Sequence, residues 1–194
     1  MLIFMEYCNE GSLESAAQLN IPESLVRKYT RQLLEAVSVL HENGIVHRDI
    51  KSANIFLSSN GVLKLGDFGC CIKLMNHTTM PGELCGLVGT PAYMAPEVFT
   101  RNITEGHGRA ADIWSVGCVV LEMSSARRPW HDLENSYQIM FRVGMGEVPE
   151  IPDSLSEEGQ DFLDHCLQHD PQNRWSASQL LDHPFTKVNE EDDG

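Results

Sequence analysis

Two short polar runs carry residue types that handle phosphate. His47-Arg48-Asp49-Ile50-Lys51-Ser52-Ala53-Asn54 contributes two oxygen donors, Asp49 and Asn54, and one ammonium, Lys51; Gly66-Asp67-Phe68-Gly69 adds a third oxygen donor, Asp67. Magnesium keeps several waters and takes one or two protein ligands, with phosphate oxygens supplying the rest. Asn54 and Asp67 are therefore adequate ligands only with a nucleotide beside them. That leaves Asp49 to accept a hydrogen bond from an alcohol that it orients. The compact ammonium of Lys51 suits negative charge growing on a transferred phosphoryl group, where electrostatic stabilisation carries most of the catalysis. Taken singly, Asp and Asn more often serve turns and caps. Only the combination points to phosphate chemistry.

The elements around these runs would bring them together. Leu25, Tyr29, Leu33, Val37 and Leu40 form an apolar stripe at helical spacing, with Pro22 placed as a first helical residue and Asn43-Gly44 as the stop. Ile55-Phe56-Leu57 and Val62-Leu63-Lys64-Leu65 flank Ser58-Ser59-Asn60-Gly61, in which Asn-Gly predicts a tight hairpin turn with positive backbone dihedrals. The first polar run thus joins the helix to the hairpin, and the second leaves the hairpin's last strand, so both loops meet at one sheet edge. Leu2-Ile3-Phe4-Met5 reads as a strand in need of a partner. From Asp67 to Glu97 no helical or strand period is visible over a stretch too long for a simple connector. Ala110 to Met123 is apolar nearly all round, as a helix through the middle of a core is, and Ser156 and Ser176 are placed as N-caps of two later helices. The fold class is α+β, mostly helical, with a small hairpin carrying the chemistry.

Composition narrows the partners. The 194 residues are 42% hydrophobic, enough for one sizeable core. With 14 Lys and Arg against 28 Asp and Glu, the formal charge is -14, which repels nucleic acid and anionic membrane surfaces alike. The six cysteines, Cys8, Cys70, Cys71, Cys85, Cys118 and Cys166, show no Cys-x-x-Cys spacing and fit a reducing, cytoplasmic compartment, with Cys70 and Cys71 as small apolar fillers. The apolar starts and runs are too short or too closely bounded by charge for a signal peptide or membrane span: Met1–Met5 meets Glu6, and Ile113–Val120 lies between Asp112 and Glu122. Arg101, Arg109, Arg127 and Arg128 read as solvated surface, Met75, Met80, Met94 and Met123 as packing, and the tail 188–194 as acidic and solubilising.

His47-Arg48-Asp49 with Asn54, then Asp67-Phe68-Gly69, then Ala95-Pro96-Glu97, in that order, resemble the signature set of the eukaryotic protein kinases. The resemblance extends to Glu6-Tyr7-Cys8 as an adenine-contacting hinge, Asp112-Ile-Trp-Ser-Val-Gly, Asp170-Pro-Gln-Asn-Arg174 and the closing His183-Pro-Phe. Lys51, two residues after Asp49, and Gly89-Thr90-Pro-Ala-Tyr-Met-Ala-Pro-Glu97 resemble the serine/threonine class. Gly108-Arg-Ala-Ala-Asp-Ile-Trp-Ser, Arg128-Pro-Trp-His131 and Val143-Gly-Met-Gly resemble MAP kinase kinase kinases, most of all the fourth MEK-kinase type.

The resemblance implies a kinase domain over residues 1–187 that uses ATP and Mg2+ and acts on a protein substrate, a MAP kinase kinase. It implies Asp49 as catalytic base, Lys51 on the transferred phosphate, Asn54 and Asp67 on magnesium, and Phe56 beneath adenine. Met5 would stand as gatekeeper behind adenine, with Glu6 and Cys8 at the hinge. Thr90 would steady Asp49 and Lys51, Glu97 would pair with Arg174, Asp112 would hold the backbone at His47 and Arg48, and His47 would pack under Phe68. Arg48 would receive a phosphate from the activation segment, where Thr78, Thr79 and Thr90 are the only Ser or Thr hydroxyls between Asp67 and Glu97.

Two departures stand out. Cys85-Gly86-Leu87-Val88-Gly89-Thr90 replaces the Ser or Thr that a relative of this type carries just before Leu-Gly-Thr. No Gly-x-Gly-x-x-Gly, no Val-Ala-Ile-Lys and no partner Glu lie ahead of the hinge, so the expectation is a C-lobe with the N-lobe largely absent. Such a lobe implies weak nucleotide binding, with a catalytically inactive binding or scaffold module as the alternative function.

Overall fold

The apolar stripe from Leu25 to Leu40 does fold as a helix. After the short α1 (Leu13–Ala17), α2 (Glu23–Glu42) buries Val26, Tyr29, Leu33, Leu34 and Val37. Pro22 caps this helix and does not begin it, since its ψ of 151° is extended; the N–H groups of Leu25 and Val26 still donate to its carbonyl. The structure, a computed structural model, describes residues 6–74, 88–100 and 107–187. The expected strand Leu2–Met5 with its gatekeeper Met5, and Met75, Thr78, Thr79, Met80, Cys85, Arg101 and the acidic tail 188–194, lie outside the described residues.

Four strands follow α2 or interleave with the polar runs: β1 (Ile45–Val46), β2 (Ile55–Leu57), β3 (Leu63–Leu65) and β4 (Ile72–Lys73). β2 and β3 form the expected antiparallel hairpin, with Ile55 opposite Leu65 and Leu57 opposite Leu63. Its turn differs from the expectation. Only Gly61 takes a positive φ, 72°, and its N–H donates to the Ser58 carbonyl, while Ser58 N–H bonds the Val62 carbonyl. This is a three-residue turn closed by a left-handed residue, in which Asn60 instead accepts from the Ser58 hydroxyl. β1 pairs with β4, placing Val46 opposite Ile72, so the stretch after Asp67 contains regular structure that a two-residue strand cannot announce by period.

The second half is helical: α3 (Pro96–Thr100), α4 (His107–Ser125), α5 (Ser136–Gly144), α6 (Glu157–Cys166) and α7 (Ala177–Leu181). In α4, Ile113, Trp114, Val116, Val119, Val120 and Met123 are essentially inaccessible, and the helix packs against α1, α2, α3 and α6. Each such large side chain contributes about 1.5–3 kcal/mol on burial, which makes α4 the axis of the domain. Ser156 and Ser176 cap α6 and α7 as expected. Ser156 also ties α6 to α2, because its hydroxyl and N–H both donate to Glu23, which in turn accepts from Arg27. Burial raises the pKa of Glu23, but the Ser156 and Arg27 interactions outweigh it and hold the carboxyl below its ordinary range. No described helix is long and apolar enough to cross a membrane.

Candidate active site

The central helix supplies the anchor. Asp112, buried on α4, accepts hydrogen bonds from the backbone N–H groups of His47 and Arg48, both at 2.9 Å, and lies 2.9 Å from His41 Nε2. Arg48 sits in the left-handed region at φ 69°, a conformation that costs a non-glycine residue about 1–3 kcal/mol and persists only when its surroundings impose it. Asp112 imposes it from one side. From the other, Arg48 Nε donates to the Cys70 carbonyl at 2.6 Å, joining the first polar run to the end of the second. The direction of the chain entering Asp49 is thereby set.

Asp49 is the hub, 8% exposed. Its Oδ1 accepts from the Thr90 hydroxyl at 2.8 Å; its Oδ2 accepts from Lys51 Nζ at 2.8 Å and from Asn54 Nδ2 at 3.1 Å. Lys51 Nζ also donates to Thr90 Oγ1 at 2.9 Å, and Asn54 Nδ2 to the Asp49 carbonyl at 2.9 Å. A carboxylate offers about four lone-pair positions. Three are used here, and the one left is on Oδ1. Thr90 can approach because Gly89 precedes it: at φ 117°, a side chain there would place its Cβ 2.6 Å from the Arg48 carbonyl oxygen.

The hairpin brings Asp67 to the same place. Gly66 N–H donates to the Asn54 carbonyl at 2.9 Å, and a Cβ on Gly66 would stand 2.8 Å from the Phe56 ring, so the chain passes directly beneath that half-buried phenyl. Asp67 follows in the left-handed region at φ 55°, exposed, with Gly69 N–H donating to its Oδ1 at 3.3 Å. His47 lies under Phe68 edge to face, ring centroids 5.3 Å apart. Its Nε2 donates to the Gly66 carbonyl at 3.0 Å, and its Nδ1 accepts from Asp49 N–H at 3.3 Å, so one imidazole spans both turns. Glu10 N–H and the Gly11 carbonyl bond to Leu57, which lays residues 9–12 along β2; exposed Glu6 accepts from Lys64, and Cys8 is half-buried. The oxygen donors Asn54 and Asp67 suit a hard cation: the Asn54 amide nitrogen is committed to Asp49, which frees its oxygen, and Asp67 is an open carboxylate.

Further supports lie beneath. The Tyr93 hydroxyl donates to buried Glu122 at 2.7 Å and lies 3.3 Å from Ser52 Oγ, linking α4 to both loops. Burial, which its bonds from Tyr93 and Ser52 offset only in part, raises the Glu122 pKa above the usual carboxylate range. A lone carboxylate in the apolar run of α4 is the sequence signal for such a role; above, it served only as the edge of a stretch too short to span a membrane. Glu97 and Arg174, 77 residues apart, form a two-pronged buried pair at 2.6 and 2.7 Å. Arg109 departs from the solvated expectation: it is half-buried and donates to the His41 carbonyl at the end of α2. Burial pushes the Cys71 thiol up to about 11, in keeping with an inert filler.

A family model described as protein kinase domain matches residues 1–186. The chain is 62% identical over 189 residues to human mitogen-activated protein kinase kinase kinase 4, covering 97% of this chain and 12% of that protein. It is 43% identical over 188 residues to mitogen-activated protein kinase kinase kinase 1 of Arabidopsis thaliana, covering 96% of this chain and 30% of the relative. Yeast MAP kinase kinase kinase SSK2 is 42% identical over 94% of this chain and 14% of its own length. The chain therefore spans less than a third of each of these relatives. By its motifs, its mostly helical C-lobe-like architecture and these matches, the chain belongs to the protein kinase family, in the serine/threonine class and similar to the MAP kinase kinase kinases.

Proposed function

We propose that this domain transfers the γ-phosphoryl group of ATP to a serine or threonine hydroxyl of a MAP kinase kinase. The observation that carries the reading is the hydrogen bonding of Asp49: Lys51, Asn54 and Thr90 occupy three of its acceptor positions and leave one on Oδ1. A substrate hydroxyl donating there is held with its oxygen free to attack. As the new O–P bond forms and the bond from γ-phosphorus to the β–γ bridging oxygen breaks, the hydroxyl proton passes to Asp49 and ADP leaves. Lys51 and Thr90 keep the carboxylate from rotating, and Lys51 places a positive charge beside the transferring group. Asn54 and Asp67 would hold Mg2+, which supplies neutralisation of phosphate charge. Phe56 provides the apolar floor for adenine, with Glu6 and Cys8 proposed for the hinge and Met5 proposed as gatekeeper. Arg48, Thr78 and Thr79 are proposed for control through the activation segment, and the protein's names in relatives favour a place in a MAP kinase cascade.

Residues 1–194 contain the base, the lysine and the metal ligands but no Gly-rich loop or strand lysine to cover the phosphates. On their own they bind nucleotide weakly and transfer little phosphate. The test is radiolabel transfer from ATP to a purified MAP kinase kinase, by these residues alone and by the same residues completed with an ATP-covering lobe. Transfer by the completed enzyme, reduced about 10²–10⁴-fold in Asp49→Asn, supports the reading. Equal transfer by the Asp49→Asn variant contradicts it.

A further inference from the structure

The loop that leaves α4 is held in a costly shape. Ala126 and Trp130 both adopt the left-handed region, at φ 53° and 59°, although neither is glycine and Trp130 is buried. Such residues cost about 1–3 kcal/mol each and persist only where their surroundings impose them, so an observed outlier points toward function. Between them the loop presents Arg127 and Arg128, both exposed, on a base closed by Ser125, whose hydroxyl donates to the Arg127 carbonyl and accepts from the Arg127 N–H. The partners of these two arginines are also unusual. Arg27, Arg31, Arg142 and Arg174 each hold a carboxylate at 3.0 Å or less. Arg127 and Arg128 form no ion pair among the described residues, not even with Asp132 in the same loop, although the chain contains 28 Asp and Glu; Arg127 Nη1 lies 3.4 Å from His131 Nε2.

Their position borders the site. Arg128 and Glu14 both lie within electrostatic reach of Glu122, in the last turn of α4, whose carboxylate accepts from the Tyr93 hydroxyl beside Ser52. α1, which carries exposed Glu14, packs on Ser52–Asn54. Ser52, Tyr93 and Glu122 are buried and form a floor, while Lys51 and Ala53, on either side of Ser52, are half-buried and reach the surface. Ser52 is three residues from Asp49, a span of at most about 11 Å. An extended substrate with its hydroxyl on Asp49 therefore brings a residue about two to four positions away over this corner. Two guanidinium forks left open there match a carboxylate. A single negative charge fits better than a phosphate dianion, because the chain carries -14 and Glu14 and Asp132 stand alongside.

We propose that Arg128, with Arg127 beside it, binds a carboxylate side chain of the protein substrate a few residues from the acceptor hydroxyl, so that the domain prefers acceptors with Asp or Glu at that position. This rests on the kinase reading above. The test uses the lobe-completed enzyme and synthetic peptides in which a single Asp is moved step by step along both sides of an acceptor serine in an Ala and Gly background. Relative to the peptide with Ala throughout, Asp at one position or two neighbouring ones should raise kcat/KM about two- to fivefold, through KM, at low salt, the scale of an exposed ion pair, and the gain should fade at high salt. Arg128→Gln should remove the gain, and Arg128→Glu should transfer it to the peptide with Lys at the same position. Independently of turnover, the Arg128 Nε–H resonance of the 194-residue chain should shift on titration with the favoured Asp peptide and not with the Ala peptide. No position at which Asp improves on Ala, or a gain that survives in Arg128→Gln, overturns the proposal. Absence of transfer to every peptide and to intact MAP kinase kinase, with an Asp-dependent resonance shift still present, overturns the kinase reading and leaves the carboxylate site standing.

Discussion

Asp49 and Asp67 stand at the two ends of one hairpin-bearing segment, yet their surroundings have little in common. Asp49 is nearly inaccessible and receives three side-chain donors, on a backbone turn held by Asp112. Asp67 is exposed, and among the described residues its carboxylate has the single short-range bond from Gly69 N–H. Both belong to the same proposed reaction, so the difference separates two ways of making a site. The proton-accepting half is assembled by folding itself: α4, the loop at Thr90 and the polar run converge whether or not substrate is present. The proposed metal-holding half would be assembled by its ligand, because a hard cation that keeps its waters needs phosphate oxygens to complete its shell. Preorganisation is spent where a proton must be accepted at a fixed distance, and openness is kept where the nucleotide must enter and leave.

The contrast is most easily broken at its anchor. Asp112→Ala removes the acceptor for two buried backbone N–H groups and the partner of His41, and should cost about 3–5 kcal/mol in chemical denaturation, the loss typical of removing one partner from a buried charged network. A loss under 1 kcal/mol would mean that Arg48 holds its left-handed turn without help. One step nearer the chemistry, Thr90→Ala should cost about 0.5–1.5 kcal/mol and lower turnover in the lobe-completed enzyme, while Thr90→Ser, which keeps the hydroxyl, restores both.

Glu122→Gln sharpens the comparison through pH. The folded-state pKa of Glu122 is raised, chiefly by burial, so the stability this group contributes is present below its unfolded value and lost as pH rises through its folded one. A glutamine can still accept from Tyr93 and does not ionise. The variant should therefore melt above the wild type at neutral pH, with the gap closing as pH falls toward the ordinary carboxylate range. A gap independent of pH would show that the carboxylate carries no burial cost. The smallest stability effect belongs to Asp67→Asn, within about 0.5 kcal/mol, as for an exposed residue whose one bond an amide oxygen can replace.

The same contrast decides what could be read from the sequence. The stripe of α2, the hairpin and the caps at Ser156 and Ser176 were legible because each is a local pattern several residues long. β1 and β4 were not: two residues have no period, and their pairing joins Val46 to Ile72 across 26 positions that carry no common signal. The α5 helix was not read from the sequence, because its nine residues bury only two apolar side chains, Ile139 and Val143, too short a stripe to stand out. At the site, residue types announced Asp49, Lys51, Asn54 and Asp67, whereas the supports beneath them, His41, Tyr93 and Glu122, are brought there by tertiary packing that no local pattern announces. Pro22 and Asn60 were misplaced by one backbone torsion each, the scale at which neighbouring turn geometries compete.

The most direct test of a site half built by folding and half by its ligand is a Mn2+ titration followed by water-proton relaxation, with and without ATP, on the lobe-completed domain and its Asp67→Asn and Asp49→Asn variants. The account predicts that Mn2+ binds appreciably only with ATP, that Asp67→Asn weakens this binding by at least about tenfold, and that Asp49→Asn leaves it within about twofold while lowering phosphoryl transfer about 10²–10⁴-fold. Equal Mn2+ affinity without ATP, or an Asp67→Asn variant that binds the metal nucleotide as the wild type does, would contradict it.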